Sequence, residues 1–368
     1  MKILIVGGGT AGHINPGIAL AKMLVRRRPD CEILFVGTEK GMESRIVPRE
    51  GFSIEFIRVS GYKRSIGFGT IKTFIRMFEG FSDAKEILKR YNPDVVVGMG
   101  GYVCGPMLMA AYFSKIPTLI HEQNALPGVT NKILSRFVNT VCISYEDSRK
   151  YFKSAKNIEI TGNPIREEFM NVNRKTAREK IGLDPGEKLV TIMGGSLGSE
   201  KINDAVLDML ENYFQKENFK VLFATGVTRY KEVMERFMNF KTQIPDSVIV
   251  ESFITDTSTA LAAADLAICR AGAITLAELA YVGTPVILIP SPNVAANHQE
   301  YNARVLEKNG AAIVLTEKEL SGESLSHAIH DLITNYSVIT RMGKQINSFS
   351  KPDASKLLAL EVLKLVQK

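Results

Sequence analysis

Short apolar runs recur along the chain at regular intervals. In the first half they read KILIV (2–6), EILFV (32–36), SIEFI (53–57), DVVVG (94–98), PTLIH (117–121) and TVCIS (140–144). In the second half they read KLVTIM (188–193), KVLFA (220–224), SVIVE (247–251), DLAIC (265–269) and PVILI (285–289). Helical patterns lie between them, for instance 17–27 and 84–91. Strands apolar at nearly every position are buried on both faces. Alternation with helices therefore predicts parallel sheets covered by helices on each side, an α/β class.

The rhythm breaks after ITGNPIREEF (160–169). Asn163-Pro164 is a turn signal, and the charged stretch 173–188 leads into a fresh strand. Two Rossmann-like domains of about five to seven strands each are expected, with parallel sheets facing a deep cleft. Ligands in such sheets bind beyond the carboxyl ends of the strands. The expected boundaries are 1–163, 164–345, and a final helical segment, 346–368, packing back toward the N-terminal domain. Residues 95–113 carry no charge, but four glycines and Pro106 interrupt them. A strand, a glycine loop and a helix explain that run better than a membrane span.

Composition is that of an ordinary globular chain, 45% hydrophobic and 23% charged. Charge changes the picture more. Residues 1–163 hold 23 Lys/Arg against 14 Asp/Glu, whereas residues 164–368 hold 23 against 25. A basic first half suits an anionic partner: membrane surface, nucleic acid or phosphate. No nucleic-acid motif is present, so nucleic acid is not expected as a partner. Cys31, Cys104, Cys142 and Cys269 are widely spaced, which speaks against a metal site or disulfide framework and for a reducing compartment. No secretory signal is evident.

Two glycine loops carry candidate chemistry. Gly7-Gly8-Gly9-Thr10-Ala11-Gly12 follows the first strand and matches G-x-G-x-x-G, the dinucleotide fingerprint. A NAD site also needs an acid at the end of the second strand. Gly37 stands there, with Glu39 three residues past Val36. His13 at the mouth of the loop suggests chemistry, and Pro16 fits a helix start. In the second half, Gly194–Ser199 and the junction Arg270-Ala271-Gly272-Ala273-Ile274-Thr275 each place backbone N–H groups at a helix start, a setting for a diphosphate. Glu278 follows one turn later and suits a ribose diol. Asn297-His298-Gln299 suit a sugar. In this order, these elements point to a nucleotide-sugar pocket.

The combination GGGTAGHINP, GMGGYVCGP (98–106), HEQNALPG (121–128), GNPIR (162–166), GGSLGS (194–199), RAGAITLAELAYVGTPVILIP (270–290) and NHQEYNA (297–303) closely resembles the MurG family, bacterial N-acetylglucosaminyltransferases of peptidoglycan assembly. The resemblance covers essentially the whole chain. It implies a GT-B fold and inverting transfer of GlcNAc from UDP-GlcNAc to the MurNAc C4 hydroxyl of undecaprenyl-pyrophosphoryl-MurNAc-pentapeptide (lipid I), giving lipid II; no cofactor is expected, and since no D-x-D motif stands out as a metal-diphosphate anchor, no metal is expected either. It implies donor contacts at Arg166, Ser196, Ile254, Ala273, Ile274, Thr275, Glu278, His298 and Gln299. On the acceptor side it implies Gly9, Thr10, Ala11, Gly12, His13, Tyr102 and Asn124. Some members have Gln-Gln where this chain has His298-Gln299, and Gln where it has Leu197.

His13 is the first candidate base, because a neutral imidazole accepts a proton near neutral pH; Glu122 is the alternative. The helix start at 270–275 and Arg166 would hold the leaving UDP. A lipid-linked acceptor implies work at the cytoplasmic face of the membrane. Lys72, Phe74, Ile75, Arg76, Phe78 and Phe81 are the expected membrane contacts, with other cell-wall and divisome proteins as further partners. The alternatives are another GT-B sugar-nucleotide enzyme such as a UDP-GlcNAc 2-epimerase, a NAD-binding oxidoreductase, and a non-catalytic scaffold.

Overall fold

The computed structural model describes residues 1–59, 69–214, 219–241 and 246–367, with the side chains of 69–77 and 295 outside that description. The chain forms two compact units, Met1–Arg166 with Lys351–Lys368, and Glu167–Ser350.

The first unit is built on a parallel sheet of seven strands: β1 (Lys2–Val6), β2 (Glu32–Gly37), β3 (Ser53–Phe56), β4 (Val95–Gly98), β5 (Thr118–Glu122), β6 (Thr140–Ile143) and β7 (Ile158–Ile160). Their order is β3-β2-β1-β4-β5-β6-β7. Side chains alternate across the sheet with period two, so each strand feeds two cores. Leu4, Val6, Val36 and Val96 face a cluster with Met107 and Leu108 of helix Cys104–Phe113. Ile3, Ile5, Phe35 and Val97 face Leu20 and Leu24 of helix Ala11–Arg27. The same face receives Leu358, Val362 and Leu365 of the last helix, Ala354–Val366. Burying those three side chains contributes roughly 5–9 kcal/mol by area. The C-terminal segment is therefore a structural part of the first unit.

Helix Ala11–Arg27 begins earlier than the proline suggested. Pro16 lies inside it, and the missing N–H forgoes one bond, to the Gly12 carbonyl. His13 therefore stands in the first helical turn.

The second unit holds a six-stranded parallel sheet: β8 (Leu189–Met193), β9 (Lys220–Ala224), β10 (Val248–Glu251), β11 (Leu266–Cys269), β12 (Val286–Leu288) and β13 (Ile313–Val314), ordered β10-β9-β8-β11-β12-β13. Strand β13 has two residues and β7 has three, too short to stand out as apolar runs. In both units the order reverses at one crevice, between β1 and β4 and between β8 and β11. Loops leaving those strands diverge there and leave room for a ligand.

Candidate active site

At the first crevice, the loops after β1 and β4 touch. Gly101 has φ +88, and a Cβ there would lie 2.5 Å from the Gly8 carbonyl oxygen; only glycine permits this approach. The His13 ring fills the corner. A Cβ on Gly100 would meet its Cδ2 at 2.6 Å. His13 Nδ1 lies 3.0 Å from the Gly8 carbonyl oxygen and 3.3 Å from Thr10 Oγ1. A carbonyl only accepts, so Nδ1 carries the proton, and Nε2 is the basic nitrogen of the neutral ring. Thr10 is the N-cap and makes no side-chain cap, and no acid stands in the first turn. The amides of Ala11 and Gly12 are first-turn donors without intrahelical acceptors, positioned for an anion. The Tyr102 ring lies over Gly9, where an added Cβ would sit 3.6 Å from its Cε1.

Glu43 is a residue beside the glycine loop that the pattern of strands and loops missed. It is 1% exposed and starts helix Glu43–Arg49. Its carboxylate accepts hydrogen bonds from Gly9 N at 3.1 Å, Thr38 N at 2.9 Å and Thr38 Oγ1 at 2.7 Å. Three glycines make room for it: a Cβ on Gly8, Gly37 or Gly41 would fall 2.1–2.4 Å from its atoms. The space beside Gly37, where a dinucleotide protein holds a ribose, is filled by this side chain. The Gly9 amide is also engaged. That is the physical reason the formal G-x-G-x-x-G match does not make a NAD site. The only signal was GTEKGMES (37–44), in which two glycines, Gly37 and Gly41, precede the acid.

Glu122, the alternative base, has another task. It is 2% exposed, and its carboxylate accepts from Asn124 N (2.9 Å), Asn124 Nδ2 (3.1 Å), Gly128 N (3.1 Å) and Asn131 Nδ2 (2.9 Å). Four donors leave the carboxylate poorly placed to take a substrate proton. It fastens loop 123–128, with Asn124 as part of that fastening. Behind it lies a second network. Gln123 Nε2 donates to the Met99 carbonyl at 2.7 Å and to His121 Nδ1 at 3.1 Å. His121 Nε2 donates to the Gly162 carbonyl at 2.9 Å. Asn163 Nδ2 donates to the Gln123 carbonyl, and Ser144 Oγ donates to Asn163 Oδ1. Burial lowers the His121 pKa to about 4, so the ring is neutral. These residues tie the ends of β4, β5, β6 and β7 into one platform.

At the second crevice, the loop after β8 abuts the loop after β9: a Cβ on Gly226 would lie 2.1 Å from Gly198 N. Ser196 accepts from Val227 N at 3.2 Å through its carbonyl, and Leu197 is 66% exposed. Helix Ala273–Val282 is capped by Gly272 without a side-chain cap and has no acid in its first turn. Ala273 and Ile274 are buried at its start with Thr275 half-buried, and Glu278 is 4% exposed. Ile254 is buried beside Leu222 and Ala224, past the end of β10. Arg270 gathers the region. Its guanidinium donates to Ser199 Oγ (2.5 Å), Glu317 Oε1 (2.5 Å) and the Ile289 carbonyl (3.1 Å). Asn302 Nδ2 donates to the Ala271 carbonyl at 3.3 Å and brings in helix His298–Lys308. His298 and Gln299 open that helix, half-buried, and Gln299 Oε1 accepts from Ser291 N at 2.9 Å. Just before them, Ala296 and Asn297 both have φ +53, a left-handed pair held under local strain. The structure thus brings Ser196, Ala273–Thr275 and His298–Gln299 onto elements joined by Arg270 and Asn302. Arg166 is half-buried at the last residue of the first unit's main segment.

Of the expected membrane contacts, Lys72, Phe74, Ile75 and Arg76 lie outside the described side chains. Phe78 is 72% exposed. Phe81 is half-buried against the first unit's core and meets Phe113 edge-on, with centroids 6.1 Å apart. Phe113 and Tyr112 extend this surface, 63% and 41% exposed. No described helix is long and apolar enough to cross a membrane.

Comparison with known proteins agrees with this geometry. Residues 3–143 match the glycosyltransferase family 28 N-terminal domain and residues 189–358 its C-terminal domain. A UDP-N-acetylglucosamine–N-acetylmuramyl-(pentapeptide) pyrophosphoryl-undecaprenol N-acetylglucosamine transferase of Caldanaerobacter subterraneus is 50% identical, over 96% of this chain and 97% of that protein. The protein of the same name from Acetivibrio thermocellus is 47% identical, over 100% and 99%. The crystal structure of Acinetobacter baumannii MurG superposes with a TM-score of 0.79 at 28% identity, covering 99% of each chain. A Neisseria meningitidis UDP-GlcNAc 2-epimerase shares the fold alone, at 14% identity and a TM-score of 0.68 over 99% and 100% of the two chains. Both units have the sheets of a GT-B protein, and the chain belongs to the MurG family of N-acetylglucosaminyltransferases within glycosyltransferase family 28.

Proposed function

We propose that this chain transfers GlcNAc from UDP-GlcNAc to the C4 hydroxyl of the MurNAc residue of lipid I, forming lipid II with inversion at the anomeric carbon. The observation that carries the reading is 47% identity over the whole chain to a transferase of that name. The uncapped helix start at the crevice of each unit supports it, since donor and acceptor each carry a diphosphate.

The acceptor diphosphate lies on the amides at the start of helix Ala11–Arg27, with Tyr102 beside it. The O4–H proton passes to His13 Nε2, and O4 bonds to the anomeric carbon opposite the departing UDP. The bond from that carbon to the diphosphate oxygen breaks, and its electron pair leaves with UDP. His13 Nδ1–H stays on the Gly8 carbonyl throughout, so the ring enters in the right tautomer and its imidazolium remains anchored. The start of helix Ala273–Val282 and Arg166 meet the charge on UDP, and Glu278 binds the ribose diol. Ile254 offers backbone to the uracil, Ser196 lies by the diphosphate, and His298 and Gln299 hold the sugar. No cofactor takes part, and no metal is required.

The enzyme works as a peripheral protein at the cytoplasmic membrane face. Phe78 and Phe113 enter the lipid interface while basic residues of the first unit meet anionic headgroups, and other cell-wall proteins assemble there. Phe78→Ser with Phe113→Ser should lower binding to anionic vesicles at least tenfold in a flotation assay. Unchanged binding would refute this surface.

Transfer of radiolabel from UDP-GlcNAc to lipid I, with EDTA present and NAD absent, tests the reaction. Labelled disaccharide-lipid is expected. Activity restored only by magnesium would remove the metal-free step alone. No transfer in either condition, by protein that still binds UDP-GlcNAc, would overturn the function.

A further inference from the structure

A cavity of about 1070 Å³ opens in the first unit beside the glycine loop. Gly9 and Tyr102 form one edge, residues 38–42 a second wall, residues 55–59 the floor, and the helix carrying Glu79, Asp83, Glu86 and Arg90 the far side. It exceeds the roughly 300–1,000 Å³ of an ordinary small-molecule pocket, so one sugar ring would leave it mostly empty. Its walls carry both signs of charge. Arg58 is held by Asp83 at 2.6 Å, Arg90 pairs with Glu55, and Lys40 is exposed and makes no ion pair among the described residues.

Under the function proposed above, on which this inference rests, the acceptor has three arms. The lipid runs to the membrane and the sugar hydroxyl to the donor. The peptide leaves the muramyl lactyl group in a third direction. We infer that this cavity is the subsite for the acceptor's peptide arm. A five-residue chain extends at most about 17 Å and presents alternating amide donors and acceptors. The peptide is joined through its amino end to the lactyl carboxyl, so its free end is a carboxylate. Lys40 supplies an uncommitted cation for it. The paired Arg58–Asp83 and Arg90–Glu55 offer edges to backbone amides, while Glu39, Glu79 and Glu86 make the rest of the lining acidic, so the carboxylate end seats at Lys40 and not elsewhere in the cavity. Because Gly9 and Tyr102 belong both to this rim and to the diphosphate loop, peptide binding registers the sugar as well.

The test uses two lipid-linked acceptors with the same diphospho-MurNAc, one with the full pentapeptide and one ending at the lactyl amide. Wild-type enzyme should show a KM for the pentapeptide acceptor at least fivefold lower. Lys40→Ala and Lys40→Glu should shrink that ratio, Lys40→Glu further, and Lys40→Arg should restore it; the KM for UDP-GlcNAc reports on the donor side separately. Equal KM values for the two acceptors in wild-type enzyme would overturn the inference, as would a ratio untouched by Lys40→Glu. Absence of transfer to either acceptor would instead overturn the function on which it rests.

Discussion

The Glu43 cage makes a quantitative prediction about coupling. In the folded protein, a Cβ on Gly37 would lie 2.4 Å from Glu43 Cγ and 3.2 Å from its Cδ and Oε1, and all three nearest atoms belong to Glu43. Gly37 sits in a strand, so its own backbone tolerates alanine. The Glu43 side chain cannot swing away, because three hydrogen bonds hold it and it is 1% exposed. Gly37→Ala should therefore destabilise the first unit by about 1–3 kcal/mol through overpacking. Glu43→Ala alone leaves the Gly9 and Thr38 amides without their acceptor, at about 1–3 kcal/mol each. Once Glu43 is truncated, the clash disappears, and adding Gly37→Ala should then cost under about 0.5 kcal/mol. The expected coupling is about 1–3 kcal/mol, within the range for residues in direct contact. Urea unfolding of the four proteins measures it, followed by proteolytic peptides from the first unit, because two units need not melt together. If Gly37→Ala costs the same in both backgrounds, the cage is not what makes these positions glycine.

Other predictions test separate parts of the site. His13→Ala should lower kcat by about 10²–10⁴-fold, the usual size of a general-base contribution, while UDP-GlcNAc binding by calorimetry stays within about twofold. Arg270→Lys should raise the KM for UDP-GlcNAc roughly tenfold, because an ammonium cannot span Ser199, Glu317 and the Ile289 carbonyl together; an unchanged KM would refute the organising role. Acid should weaken the first unit through His121. Its folded pKa near 4 lies below the ordinary 6.5, so between these values the unfolded chain binds more protons. Stability from this group is intact above pH 6.5 and falls as pH drops toward 4, by up to about 3 kcal/mol. His121→Gln should flatten that slope in urea unfolding at pH 4.5 and 7, and an unaltered slope would assign the acid sensitivity elsewhere.

The strand positions were legible because short apolar runs alternating with helical patterns pack as parallel strands covered by helices, most of them buried on both faces. Eleven runs named from hydropathy became strands, and the two missed, β7 and β13, are too short to show a pattern. The two units divide after Arg166, three residues past the Asn163 turn signal. His13 was visible because a titratable ring beside a glycine loop is chemically conspicuous. Its tautomer was not, since that depends on the Gly8 carbonyl five residues away. Glu122 read as a base from its type alone; only the fold showed four donors converging on it. Glu43 drew no attention along the chain and Arg270 was read only as part of a glycine junction, because their organising contacts reach other loops: Gly9 for Glu43, Ser199 and Glu317 for Arg270. Local hydrophobicity and turn chemistry decided which segments became strands, helices and loops. Which loops meet at a crevice, which carboxylate is occupied and which glycines are there to admit a neighbour were decided by tertiary packing, because those are properties of pairs of residues that the chain brings together only once the sheet has formed.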